Sequence, residues 1–205
     1  MKIPYVNLKL QWAEEKDELL PIIDRILSEA DHVGGGEIKL FEENIKKIVN
    51  TDHVIALNSG TDALTLSLHL LGVGSGDEVI TPPNSFIAST AVIVHLKAKP
   101  VFVDVQDDQL IDVKKIEASI TENTKAIMPV HLTGRMCDMD DIMKISEKYN
   151  IPVIEDAAQS IGSCYKGKPS GSIGHIGCFS GHPLKNLNAF GDAGYLTAND
   201  KDIAD

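Results

Sequence analysis

Positive charge is the first thing this sequence is short of. Its 19 lysines and arginines face 30 aspartates and glutamates, for a formal charge of −11. Nucleic acid is thereby disfavoured as the main partner, because a phosphate backbone needs clustered cations. One phosphate group held locally by backbone amides stays open. Cysteine is scarce as well. Cys137, Cys164 and Cys178 are too far apart for a CxxC zinc pattern and odd in number. They read as small buried thiols in a reducing compartment. Long apolar runs are missing. Met1-Lys2-Ile3-Pro4 leads into a charged segment (Glu14, Glu15, Lys16, Asp17, Glu18) with no signal core, and no later run approaches membrane-span length. The expectation is a cytoplasmic protein without a membrane partner.

Several chemical motifs are missing too. There is no internal repeat and no low-complexity segment. No GxGxxG follows a strand pattern. The seven histidines (His32, His53, His69, His95, His131, His175 and His182) include no HExxH-type pair, so no metal site is expected. Gly162 to Pro169 nearly spells a P-loop, but Pro169 stands where the magnesium-binding Ser or Thr would be.

What remains is ordinary globular composition, 43% hydrophobic and 24% charged over 205 residues, enough for one sizeable core. Residues 1–50 read as a helical segment. One or two amphipathic helices fill the first thirty or so residues, with Pro21 as a break or first-turn residue. After Gly34-Gly35-Gly36, Phe41–Val49 has helical spacing. From residue 51 strand-like and helix-like runs alternate. The strands are 54–57, 78–81, 100–105, 125–132, 152–157, 177–180 and 194–198. The helices are 61–71, 86–96, 113–120 and 139–149. Leu64, Leu66, Leu68 and Leu70 alternate as a strand would, but the run is long, Gly72 stops it and Ser59-Gly60-Thr61-Asp62 opens it like a cap. This predicts an α/β domain over 51–205: a mostly parallel sheet with helices on both faces. The loop through Gly191-Asp192 is too short for a parallel crossover, so the last strand should be antiparallel.

Ligands of open α/β sheets sit at the carboxyl ends of the strands, and four polar clusters fall there. Asn58-Ser59-Gly60-Thr61 is a small turn before a helix, able to receive an anion on its amides or simply to cap. Asp156, followed by Ala157-Ala158-Gln159, ends an apolar strand. Ser180 to Lys185 (SGHPLK) places a lysine after a buried strand, where desolvation would make it a nucleophile toward carbonyls. A solvent-pointing lysine is equally open. Phe86, in TPPNSF, could stack on a planar ring or plug the core. Together these are a phosphate cradle, an acid, a nucleophilic lysine and an aromatic platform, the inventory for pyridoxal phosphate (PLP).

The stretches SGTDALTLSLHLLGVGSGDEVITPPNSFIAST, PVHLTGRMCDMDDI, IPVIEDAAQSIGS and GCFSGHPLKNLNAFGDAGYLTAND resemble the DegT/StrS family of PLP-dependent sugar-nucleotide aminotransferases, of fold-type I. The N-terminal stretch from IPYVNLKLQW to GGGEIKLFEE is similar as well. The resemblance implies that Lys185 forms the Schiff base with the cofactor. Asp156 would pair with the pyridine nitrogen and Gln159 would contact the phenolic oxygen. Gly60, Thr61 and Ser180 would hold the phosphate, and Phe86 would stack on the ring. It further implies a seven-stranded sheet, a homodimer, and a small C-terminal domain that this chain lacks. Gly181, Arg135 and Ala193 depart from the commonest family pattern.

The function so expected is transfer of an amino group from an amino acid, glutamate in the first instance, to a keto-sugar nucleotide. Two rivals stand beside it. One is a PLP-dependent sugar dehydratase or epimerase, which Lys185 argues against because such relatives replace the lysine. The other is a non-catalytic PLP-sensing regulatory module.

Overall fold

The computed structural model describes residues 3, 4 and 6–204. Met1, Lys2, Tyr5 (inside the N-terminal stretch of resemblance) and Asp205 lie outside the described residues. Two compact units are distinguished, one up to Phe41 and one from Glu42 onward.

In the first unit, helix α1 (Leu8–Ser28) is a single helix that runs through Pro21. Its start is fixed by Asn7, whose side chain accepts the Leu10 amide at 3.2 Å. The expected break at Pro21 does not occur. Proline removes one N–H from the helical ladder, but no residue of α1 is buried, so the carbonyl left over can be met by water. Helix α2 (Gly36–Val49) begins in this unit and continues past its Phe41 boundary, with Asp31 accepting the Gly36 amide at its start.

The second unit alternates as its sequence does. The elements are β1 (His53–Leu57), α3 (Gly60–Leu70), β2 (Glu78–Thr81), α4 (Ile87–His95), β3 (Lys99–Phe102), α5 (Val113–Ile116), β4 (Thr124–Ile127), α6 (Met139–Tyr149) and β5 (Ile154–Asp156). A small hairpin comes next, β6 (Cys164–Tyr165) and β7 (Lys168–Pro169), then β8 (Ile176–Ser180), β9 (Gly194–Ala198) and a terminal α7 (Lys201–Ala204). The leucine-rich run of α3 is helical and buries Ala63, Leu64, Ser67 and Leu68.

Strand side chains alternate between two apolar clusters, as a sheet covered on both faces requires. Val79, Ala126, Met128 and Ile154 join α3 and α4 residues such as Leu64, Leu68, Val92 and Ile93. Their chain neighbours Ile80, Ile127 and Val153 join Ile116, Met139 and Ile142 on the other face.

The sheet itself corrects the sequence reading. In place of one seven-stranded sheet there are two ladders, ordered β1-β9-β8-β5 and β3-β2-β4. Strand β9 runs antiparallel to both β1 and β8, and the pairs β2–β3, β2–β4 and β5–β8 are parallel. Among the described residues, only isolated bridges stand between the ladders, Ile127↔Val153 and Val130↔Asp156. Pro129 lies between those bridges. The Ile127 amide bonds the Pro152 carbonyl and the His131 amide bonds the Asp156 carbonyl. The donor due between them belongs to residue 129, and proline has none. The run 125–132 therefore stops being a strand at Ile127. The run 100–105 likewise ends at Phe102, leaving Val105 in a bridge to Ile111.

The segment from Gly162 to Pro169, already rejected as a P-loop, contains the β6–β7 hairpin, turned by Lys166 and Gly167 at φ of 50° and 84°. One smaller expectation changes: Cys137 and Cys178 are buried, but Cys164, heading that hairpin, is exposed. Among the described residues no helix is long and apolar enough to cross a membrane.

Candidate active site

A cavity of about 570 Å³ opens at the edge where β5 and β8 end and α3 and α4 begin. Gly60, Thr61, Phe86, Asp156, Gln159, Ser180 and Lys185 all line it. The sequence thus named residues from four separate segments that the fold brings to one place.

One wall is the first turn of α3. Ser59 caps it, its hydroxyl accepting the Asp62 amide at 3.0 Å. The amides of Gly60 and Thr61, first in the helix, have no partner within it and carry the positive end of the helix dipole. Two glycines seat this turn on the sheet. Gly194 stands between Leu57 and Ser180 in the β1–β9–β8 register, and a Cβ on it would lie 2.2 Å from the Ser59 carbonyl carbon. A Cβ on Gly60 would lie 2.8 Å from the Ser180 Cβ. Any larger residue at either position would push these amides off the sheet.

Asp156 is the floor. It is 5% exposed, and burial pushes its carboxyl above the usual range against the pull of its donors. Ser89, itself 1% exposed, donates its hydroxyl to Asp156 Oδ2 at 2.7 Å, and the Ala158 amide donates to Oδ1 at 3.2 Å. Gln159, two residues beyond Ala157, turns its Oε1 to accept the Thr133 amide at 3.1 Å. Thr133 is held at φ 56°.

Lys185 is carried by a loop tied at its base. The Gly181 amide donates to the Ala193 carbonyl at 2.7 Å and the Ala189 amide to the Gly181 carbonyl at 2.8 Å. Inside the loop the Lys185 amide donates to the His182 carbonyl at 2.8 Å. His182 Nδ1 accepts the Leu184 amide at 3.2 Å, which leaves the ring proton on Nε2. Among the described residues, none hydrogen-bonds the Lys185 ammonium. The half-buried lysine and the exposed Phe86 ring both line the cavity.

Two of the positions that depart from the family pattern meet here. A Cβ on Gly181 would lie 3.0 Å from the Ala193 Cβ, so the small residue at 181 makes room for the methyl at 193. Arg135 lies apart, its guanidinium donating to the Asp108 carbonyl at 2.9 Å. Sequence reading missed Ser85, Ser89 and Asp192, which also line the cavity. The signal for the serines was their four-residue spacing across a helix start.

The residues fit PLP on these observations. A cavity of this size holds an uncommitted amine, a buried carboxylate and a helix start whose glycine allows close approach of a phosphate.

Comparison with known proteins agrees. A model of the DegT/DnrJ/EryC1/StrS aminotransferase family matches residues 13–205. The chain is 43% identical over 98% of its length to a UDP-N-acetyl-3-dehydro-alpha-D-glucosamine 3-aminotransferase of Acidithiobacillus ferrooxidans, covering 55% of that protein. It is 40% identical over its full length to a pleiotropic regulatory protein of Geobacillus stearothermophilus, again covering 55% of it. Among solved structures it is similar to S. venezuelae DesV in complex with a ketimine intermediate, at TM-score 0.95 and 37% identity, covering 99% of this chain and 55% of that one. It is also similar to NtdA of Bacillus subtilis with bound cofactor PMP, at TM-score 0.88 and 36% identity, covering 93% and 43%. The chain therefore spans about half the length of the curated relatives it matches.

Proposed function

From the premise that this chain belongs to the DegT/DnrJ/EryC1/StrS aminotransferase family, we propose that it is the PLP-binding part of an aminotransferase. The amino group passes from an amino acid, glutamate in the first instance, to a keto-sugar nucleotide. The observation that carries this reading is the convergence of Lys185, Asp156, Gln159, Phe86, Ser180 and the α3 start on one cavity.

The amides of Gly60 and Thr61, with the Ser180 hydroxyl, would hold the phosphate. Asp156 would pair with the ring nitrogen and keep its proton in place. Phe86 would stack on the ring and Gln159 would contact the phenolic oxygen. When bound, PLP would supply an electron sink for the substrate carbon. Lys185 would hold the cofactor through Nζ, and the same Nζ, when free, would take and return the proton of the substrate carbon.

Relatives' printed names support the sugar-nucleotide substrate class. A homodimer belongs to the same proposal. The smaller C-terminal domain that the resemblance implies would lie in the part of the relatives that this chain does not match.

The test is chemical. Borohydride treatment of the chain mixed with PLP should fix the cofactor on the peptide that contains Lys185, read by mass. Lys185→Ala should lose that label. It should also lose at least about 100-fold in amino transfer from glutamate to a panel of keto-sugar nucleotides. Labelling elsewhere, or full turnover in the variant, would overturn the reading.

A further inference from the structure

Asp156 is the last link of a chain of hydroxyls. Ser85 Oγ lies 2.7 Å from Ser89 Oγ, and Ser89 Oγ lies 2.7 Å from Asp156 Oδ2. Ser85 stands two residues before the first residue of α4 and Ser89 lies in its first turn; both line the cavity. A serine hydroxyl has one proton to give. While Asp156 is ionised, Ser89 spends that proton on the carboxylate, so the contact between the two serines must be donated by Ser85. The order of donation is therefore Ser85 to Ser89 to Asp156, with each donor strengthening the next. Both inner members are buried, Ser89 at 1% and Asp156 at 5% exposure, so water competes little for the bond between them.

The carboxylate has room for a further partner or two. An ionised carboxylate offers about four acceptor positions. Ser89 and the Ala158 amide fill two of them. The other ionisable groups that feel Asp156 are His131, Lys185 and Cys178. His131 is a buried side chain committed to Glu155, and Cys178 is a buried thiol beside Ser67. Neither donates to Asp156.

We infer that Ser89, oriented by Ser85, is a positioning residue that keeps the Asp156 negative charge in place, so that a proton shared with a bound ring nitrogen rests on the ring. The inference rests on the PLP reading above. Without the Ser89 donor the carboxylate becomes the stronger base and draws the shared proton toward itself. A ring that has lost its proton is a poorer electron sink. The placement of that proton is a property a merely space-filling serine would not govern.

The experiment uses the whole chain and PLP labelled with ¹⁵N at the ring. Two quantities are read at neutral pH: the dissociation constant and the ring-nitrogen resonance. The parent should show the protonated-ring resonance. Ser89→Ala should shift it toward the unprotonated range and weaken PLP binding roughly tenfold, the loss of one hydrogen bond to a charged group. Ser89→Thr, which keeps the hydroxyl, should restore both. Ser85→Ala should move the resonance the same way by a smaller amount, and it decides the matter if Ser89→Ala does not fold. A PLP-binding parent whose resonance is unchanged in the folded serine variants overturns this inference alone. A parent that binds no PLP overturns the functional reading with it.

Discussion

Glu155 and Asp156 are adjacent acids on one strand, both buried, yet their surroundings could hardly differ more. Alternation sends them to opposite faces of the sheet. Glu155 is 0% exposed and accepts four hydrogen bonds: from His131 Nε2 at 2.8 Å and from the amides of Gly171, Ile173 and Gly174 at 2.6–2.9 Å. The Cys137 amide donates to His131 Nδ1 at 3.2 Å, so the imidazole proton sits on Nε2 and points at Glu155. These donors hold the Glu155 carboxyl below its usual range even against the desolvation of a buried site. Asp156 has two donors, and there desolvation wins and its carboxyl is pushed up. Full satisfaction makes Glu155 a structural clasp between the β4–α6 loop and the 170–174 turn. Incomplete satisfaction leaves Asp156 able to take a further donor from the cavity.

The largest effect should come from breaking the clasp. Glu155→Ala strands three backbone N–H groups and the His131 ring proton, with His131 and Gly171 buried and Ile173 and Gly174 partly so. Each orphaned donor costs about 1–3 kcal/mol, so urea unfolding should report a loss of at least about 3 kcal/mol. A loss below about 1 kcal/mol would mean that the turn finds other partners and that Glu155 is not what holds it.

Asp156→Asn should behave in the opposite way. The amide is nearly isosteric, and the Ser89 and Ser85 hydroxyls can rotate to accept from it. Stability should stay within about 1 kcal/mol of the parent, while amino transfer falls by about 100-fold or more for want of a fixed charge at the ring nitrogen. The pH dependence sharpens the contrast. Glu155, depressed below its ordinary 4.5, contributes stability that is present above that value and lost as pH falls through its folded pKa. Asp156, raised above its ordinary 3.8, contributes stability that is full below that value and lost as pH rises through its folded pKa. Unfolding free energies of Glu155→Gln and Asp156→Asn, each subtracted from the parent across the acid range, should therefore slope in opposite directions. Slopes of the same sign would show that the two carboxyls are not in contrasting states.

How much of this contrast could be read beforehand differs between the two residues. Asp156 and Lys185 stood out as an acid ending an apolar strand and a lysine following one, each with a plain structural alternative, and the turn around Gly60 could equally have been a cap. What drew them together was their sum, the inventory for PLP; the part expected of Gln159 came only from the family resemblance. Glu155 was not legible, since a glutamate inside an apolar strand says nothing about four donors gathered from residues 131–174. Ser89 was hidden for the same reason: its partner lies 67 residues away, and alone it is a serine in a helix. Pro129 was visible and underweighted. A proline inside a supposed central strand argues against that strand, and the ladder does break there.

The smallest effect concerns Gln159, which stands on the Asp156 side of the contrast but is held from outside the cavity. Its Oε1 accepts the Thr133 amide, and that amide belongs to an exposed residue. In Gln159→Ala the amide can turn to water, so the loss to stability should be below about 1 kcal/mol, the ordinary net worth of one hydrogen bond. The cavity loses more. Gln159 lines it, and the bond to Thr133 fixes the acceptor end of the side chain, which directs the amide NH₂ toward other company. If that NH₂ serves the phenolic oxygen of PLP, its removal should weaken PLP binding about tenfold, a donor lost to a charged oxygen. Gln159→Glu separates position from chemistry. The carboxylate can still accept from Thr133 but has no proton to donate, so it should bind PLP at least as poorly as the alanine variant while unfolding like the parent. PLP titration and urea unfolding of both variants decide the point. Parental affinity in Gln159→Glu would show that the side chain serves Thr133 alone and belongs with Glu155 among the structural acceptors.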